Sequence, residues 1–304
     1  YYSSGTEPTS PKNGAIWWDS TNSKVMVYIA AEFKEVELGA STGGWTIPDI
    51  SAATYDSVSF DTTSQGTNMN SVFFSSDGTK MYTACHTQDS VFQYSLTSAF
   101  DLSTASYDSV FLSIASQDSY PKGLFFSSDG TKMYMSGDAN DKVYQYSLST
   151  AWDLSTASYD SVNYSPHTNV GGVDFNTDGT KMYTSNLASP ASINQHTLST
   201  AWDLSTASND SVSLNTSSQE SQPWGFAFNP DGTQMFVTGY SSDDVHQYTL
   251  STGFDLSTAS YSNYSFYVNS QEDKPTSVRF SLDGSKMFIL GFSLEDVFQY
   301  STGL

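Results

Sequence analysis

Disulfides, long apolar runs and all but one arginine are what this sequence does without. Cys85 is the one cysteine among 304 residues, so no intramolecular disulfide can form and stability has to come from packing. Arg279 is the only arginine, and 11 basic residues stand against 32 acidic ones, a formal net charge of -21. Gripping a phosphate backbone takes clustered Lys or Arg, so nucleic acid is excluded as a partner, and anionic membrane surfaces with it. No apolar stretch approaches the roughly 18 residues of a membrane span, and no charged-then-apolar leader opens the chain, so no membrane insertion is expected. The first residue is Tyr1 rather than Met, which suggests a piece of a longer polypeptide. Abundant Ser, Thr, Asn, Asp and Tyr, with few lysines, lean towards an extracellular or saline setting.

What the chain does have is repetition. FSSDGTKMY stands at Phe74 to Tyr82 and again at Phe126 to Tyr134, and an Asp-Gly pair recurs at Gly78, Gly130, Gly179, Gly232 and Gly284, spaced 52, 49, 53 and 52 residues apart. A fixed period of that length marks repeated supersecondary units. In the second unit, GLFFSS from Gly123 runs into the Asp129-Gly130 turn, KMYMSG covers Lys132 to Gly137, KVYQYSL covers Lys142 to Leu148, and YDSVNY covers Tyr159 to Tyr164. Short apolar or alternating runs separated by turn residues predict four antiparallel strands per unit. The connection STAWDLSTAS lies between the third and fourth strands.

Four strands per unit of about 50 residues is the pattern of a β-propeller blade. The fifth unit ends at Val297 to Leu304, just after its third strand. A spare fourth strand, Tyr55 to Phe60, stands at the other end of the repeats, behind Trp45, Asp49 and Ile50. The spare strand makes sense if the ring closes on itself. The expectation is an all-β, five-bladed β-propeller over residues 45–304, preceded by a small β module over residues 1–44.

Positions repeated across the units read first as packing. Phe74, Phe126, Phe175, Phe228 and Phe280 end the first strands, and Met81, Met133, Met182, Met235 and Met287 begin the second. Methionine fits irregular core gaps, so this series is expected to fill the interior, with metal or ligand binding the lesser alternative. A glutamine recurs in every third strand (Gln93, Gln145, Gln195, Gln247, Gln299), either to satisfy backbone groups between blades or, less readily, to contact a sugar.

At these residues the chain resembles a large group of bacterial and phage propeller repeats built on F-S-x-D-G-T-K-M-Y followed by V-Y-Q-Y-x-L-S-T-x-W-D-L-S-T-A-x-Y. The resemblance covers residues 45–304 and implies a propeller without implying a reaction. Pro8 to Gly39 lies outside the repeat and predicts three strands, Ala15 to Trp18, Lys24 to Ile29 and Phe33 to Leu38. Through Pro11, Asn13, Gly14, Trp17, Trp18, Asp19 and Phe33 it is similar to a small β module of tailed-phage fibre and virion proteins. The alternative is a hairpin that packs a tryptophan against the ring.

Candidates for chemistry are few. At the inner-strand position between the core residues stand Phe73, Phe125, Asp174, Ala227 and Arg279, so Asp174 and Arg279 alone break an apolar set. Glycoside hydrolysis generally needs a pair of carboxylates, which one aspartate does not supply. Both residues therefore read as solvated or hydrogen-bonded channel groups. None of His86, His167, His196 and His246 shows a metal-binding spacing, and no phosphate-cradling glycine loop is present.

The loops between strands two and three and between blades share one mouth, and that mouth is the expected binding face. Gln117, Asp118, Tyr120, Gln219, Glu220, Trp224, Gln271, Glu272, Asp141 and Asp244 supply the amides, carboxylates and aromatic rings that hold neutral sugars. The same carboxylates suit calcium, the one cofactor these loops admit. The resulting expectation is a non-enzymatic virion surface component of a tailed phage, joined to other virion proteins through residues 1–44. Its ring would bind a host-surface glycan or protein, and trimers are expected by analogy with fibres. Two alternatives stand beside it: a bacterial cell-surface propeller binding glycans or proteins, and a lactonase- or glycosidase-like propeller enzyme.

Overall fold

The computed structural model describes residues 45–304 except residue 48 and, before them, four short strands. Chain contacts divide it into two compact units, Tyr1–Gly44 and Trp45–Leu304. In the first unit Tyr2–Ser3, Ile16–Asp19, Lys24–Ile29 and Glu32–Glu35 form one four-stranded sheet in chain order. The first and second of the expected strands recur close to their places, at Ile16–Asp19 and Lys24–Ile29. The third runs over Glu32–Glu35, and the residues expected beyond it lie outside the described ones.

The second unit is five four-stranded antiparallel sheets. Blade 1 consists of Met69–Phe74, Lys80–Cys85, Ser90–Leu96 and Ala105–Ser113. Blade 2 consists of Pro121–Phe126, Lys132–Gly137, Lys142–Leu148 and Ala157–Tyr164. Blade 3 is Val170–Phe175, Lys181–Asn186, Ser192–Leu198 and Ala207–Asn215, and blade 4 is Gly225–Phe228, Gln234–Thr238, Asp244–Leu250 and Ala259–Tyr267. Blade 5 takes Pro275–Phe280, Lys286–Gly291 and Asp296–Ser301 from the end of the chain and its outer strand, Thr54–Asp61, from the beginning. Val297 pairs with Phe60 and Tyr300 with Tyr55, which closes the ring.

Burial follows the strand order outwards. First and second strands are buried almost throughout, whereas the outer strands alternate between exposed and half-buried residues, as one-sided edges do. All five second-strand methionines have no exposed surface, which makes them core. Each outer strand carries a bulge: Gln93 faces Val110 but Tyr94 faces Tyr107, so Asp108 and Ser109 have no opposite numbers. The bulge aims Asp108 at Lys80 Nζ, 2.9 Å away, and at Gln93 Nε2, 2.8 Å away.

With its amide nitrogen held, the glutamine offers Oε1 to the next blade. Gln93 accepts from Leu154 N at 2.8 Å, Gln145 from Leu204 N at 2.7 Å, Gln195 from Leu256 N at 3.1 Å, and Gln299 from Leu102 N at 3.0 Å. Gln247 completes the circle by accepting from Ile50 N at 2.9 Å. The donors sit in 3-10 turns that the sequence presents as plain connections. Asp153 caps one of them by accepting from Ser155 N at 3.0 Å. The recurring glutamine is thus an inter-blade latch.

The Asp-Gly turns have a second task. Gly130 has φ +70°, and a Cβ there would lie 2.4 Å from the Trp152 indole. Only glycine fits both the backbone and the ring that covers it. Phe100, Trp202, Phe254 and Trp45 cover the corresponding glycines of the other blades.

Candidate functional site

The innermost strands converge on the ring axis, and at the hairpin-turn end they leave a cavity of about 240 Å³. Its outer wall is the set of aromatic residues that cover the turn glycines, Trp45, Phe100, Trp152, Trp202 and Phe254. Trp152, Trp202, Phe100 and Phe254 all have φ between 56° and 63°, a rare backbone state for a bulky residue. Their main chain is pinned from both sides: Trp152 N donates to Gly130 O at 3.1 Å, and Trp152 O accepts from the hydroxyl of Tyr82 in the preceding blade. The aromatic wall is therefore built into the blade interfaces.

Asp174 and Arg279 stand on the floor of this funnel, 5% and 9% exposed. Arg279 Nη1 donates to Asp174 Oδ2 at 3.1 Å and to Phe226 O at 2.7 Å, and Nη2 donates to Leu124 O at 3.1 Å. One guanidinium thus ties blade 5 to blades 2, 3 and 4 across the axis. Its carbon lies 5.3 Å from the centroid of Phe73, whose ring meets Phe125 edge-on at 5.1 Å. Asp174 Oδ1 accepts from Phe175 N at 2.7 Å. Burial raises the Asp174 carboxyl to about 6, the Arg279 charge and the Phe175 amide opposing it. A carboxyl in that range is half protonated near pH 6 and mostly ionised at neutral pH, so Asp174 is poised to take up a proton from a bound molecule and return it.

The residues expected to bind at the opposite mouth are mostly committed elsewhere. Asp118, Glu220 and Glu272 are each 1% exposed. Asp118 accepts from Tyr120 N at 2.8 Å and Asn140 N at 3.1 Å, and Glu220 from Gln222 N at 2.6 Å and Ser242 N at 3.1 Å. Glu272 accepts from Lys274 N at 2.9 Å and from Ser293 N and Leu294 N at 3.0 Å. These carboxylates replace missing backbone acceptors inside the loops, so the polar signal read as a binding face is largely internal bracing. Gln117 and Gln219 accept from the hydroxyls of Tyr146 and Tyr248 at 3.3 Å. Asp141 accepts from Asn169 N at 2.6 Å, and Asp244 from the Ser265 hydroxyl at 3.4 Å. Gln271 is half-buried in the corresponding loop.

Tyr120 and Trp224 do come together, around a residue that sequence reading passed over. Lys122 is 3% exposed, and its ammonium lies 3.1 Å from the Trp224 ring centroid and 3.9 Å from that of Tyr120. Lys122 and Trp224 hold the same register place in blades 2 and 4, which was the available signal. Among the described residues no group of three or more His, Cys, Asp or Glu is placed to hold a metal ion.

His196 replaces the tyrosine of the other blades and is fully buried, 3.0 Å from Thr184 Oγ1 and 3.3 Å from the Tyr164 hydroxyl. Burial, aided by nearby His167, pulls the imidazole down to about 4 from its ordinary 6.5. The unfolded chain therefore binds this proton first as pH falls, and stability is lost between pH 6.5 and 4, by about 3 kcal/mol from this residue. Replacing it as His196→Tyr should remove that share of the acid sensitivity, read as urea-unfolding free energies at pH 7 and pH 4.5. Equal pH slopes in variant and wild type would refute it.

The profile of the lactonase, 7-bladed β-propeller family matches residues 61–258, about two thirds of the chain. No curated protein matches. Among solved structures, a functionally unknown protein from Desulfotomaculum acetoxidans is similar at 12% identity and a TM-score of 0.47, over 74% of this chain and 63% of that one. Two proteins carrying a provisional 6-phosphogluconolactonase assignment are similar at 15% identity. The Bacteroides fragilis one has a TM-score of 0.44 over 69% of this chain and 56% of its own, and the Bacteroides uniformis one 0.46 over 81% and 65%. The chain thus spans less than two thirds of the length of these structures.

The family match corrects the leading expectation from sequence, a non-enzymatic virion component of a tailed phage with a glycan-binding ring. That expectation followed the repeat consensus and the short motif in residues 1–44, whereas the match lies in the blades and belongs to a group named for an enzyme. Although its ring has five blades, this chain belongs to the lactonase, 7-bladed β-propeller family.

Proposed function

We propose that the ring is a lactonase-like hydrolase, opening a cyclic ester in the aromatic funnel. The observation that carries the reading is the Asp174–Arg279 pair, a carboxylate raised to about 6 beside a fixed cation, on the floor of a cavity lined by aromatic rings together with serine, threonine and asparagine residues. Family membership supports the same reaction class.

In this reading Asp174 takes a proton from a water as the water oxygen attacks the lactone carbonyl carbon. The carbonyl electrons move onto oxygen, where the Arg279 charge, immobilised by Leu124 O and Phe226 O, stabilises them without reorganising. When the tetrahedral centre collapses, the ring C–O bond breaks and the leaving oxygen recovers the proton from Asp174. The product is a hydroxy acid.

The lining favours an apolar or aryl-fused lactone. A phosphorylated sugar lactone is disfavoured, because Arg279 is already paired and the chain carries a net charge of -21. The test is a pH-stat assay of the purified chain on aryl-fused lactones, alkyl-substituted lactones, gluconolactone and 6-phosphogluconolactone. Hydrolysis is expected for the first two groups. No hydrolysis of any lactone would overturn the reading.

A further inference from the structure

We propose that the ring holds one halide-sized anion, chloride being the abundant choice, on its axis between Lys122 and Arg279. A small cavity, with room for about one water-sized particle, lies at the narrow end of the channel, lined by residues of all five innermost strands. Its polar side chains are Ser71, Lys122, Thr276, Ser277 and Arg279, two of them cationic. The Lys122 ammonium has Asp138 as its nearest carboxylate, at 3.9 Å, beyond hydrogen-bond range. Arg279 Nε is buried without a partner, while both Nη atoms are engaged elsewhere. Ser71 Oγ accepts from Leu124 N, which leaves its proton free to donate.

Two cationic side chains border this one small space, Lys122 without a carboxylate in hydrogen-bond range, and a neutral water would leave that charge uncompensated. An anion would not. Burial also pulls the Lys122 amine down to about 7, against the opposing pull of Asp138, which is the mark of a cation short of counter-charge. Size selects among anions. The strands approach so closely here that a Cβ on Gly123 would meet Val173 N at 2.6 Å, and one on Gly172 would meet Trp224 O at 2.7 Å. Sulfate and phosphate are far larger than the one water-sized particle the cavity admits, and a monatomic halide is the anion nearest to that size.

Thermal unfolding of the chain in sodium chloride, bromide, sulfate and gluconate at one ionic strength tests the site. The midpoint should lie about 2–4 °C higher in the two halides, and the difference should vanish in Lys122→Met. Bromide-grown crystals should show an anomalous peak in the cavity, a result that does not depend on how the variant folds. A water there instead of bromine would overturn the proposal. So would a halide effect that persists in Lys122→Met.

Discussion

Deleting residues 45–61 should abolish cooperative folding of the ring. The segment gives blade 5 its outer strand, paired along Asp296–Ser301, and it also anchors blade 4. Ile47 N donates to Gln234 Oε1 at 2.8 Å, and Ile47 O accepts from Gln234 Nε2 at 2.8 Å and from Gln247 Nε2 at 2.9 Å. Ile47 and Ile50 have no exposed surface, and truncating one such isoleucine costs about 2–5 kcal/mol. Losing both, along with a strand ladder, is comparable with the roughly 5–15 kcal/mol that holds a domain together. Circular dichroism melts should show no transition, and a permuted chain in which residues 45–61 follow Leu304 through a glycine-serine linker should recover it. A deletion variant that melts at the wild-type temperature would refute ring closure as the source of stability.

The second large effect concerns chemistry. Asp174→Asn should lower kcat/KM on any lactone the wild type hydrolyses by about 10²–10⁴-fold, the usual worth of a general base. Because the Asp174 carboxyl is raised to about 6, the wild-type rate should climb through pH 6 as the carboxylate forms and then level off. The variant should lack that limb. The substitution also leaves Arg279 buried without its counter-ion, so the melting temperature must be followed alongside to separate lost chemistry from lost fold. An unchanged rate in a folded variant would remove Asp174 from the mechanism.

The blades were legible because each writes the same four strands, and the ring because one strand was spare at one end and wanting at the other. Two local devices were hidden in repeated text. D-L-S-T reads as a connection but folds into a capped 3-10 turn, and the Asp-Ser of Y-D-S-V reads as strand alternation but forms the bulge. The internal bracing of those loops was not legible because a loop carboxylate looks the same in sequence whether it meets solvent or, like Asp118, backbone amides. The opposite mouth was overlooked because Trp152 and its counterparts lie in a connection, and their left-handed backbone, which sets them around the funnel, has no periodic signature. Asp174 and Arg279 were visible as exceptions within an apolar set. What sequence could not supply was that they touch.

The glutamine latches and the arginine crosspiece respond differently to a change in blade number. Each latch joins one blade to its successor, so a duplicated blade would find the same amide behind it and the same turn ahead, and the rim would close as before. Arg279 instead spans the bore, reaching Leu124 in blade 2, Asp174 in blade 3 and Phe226 in blade 4 at once. That reach fits one diameter. An added blade would therefore leave the rim intact while pulling the Asp174–Arg279 floor of the funnel apart.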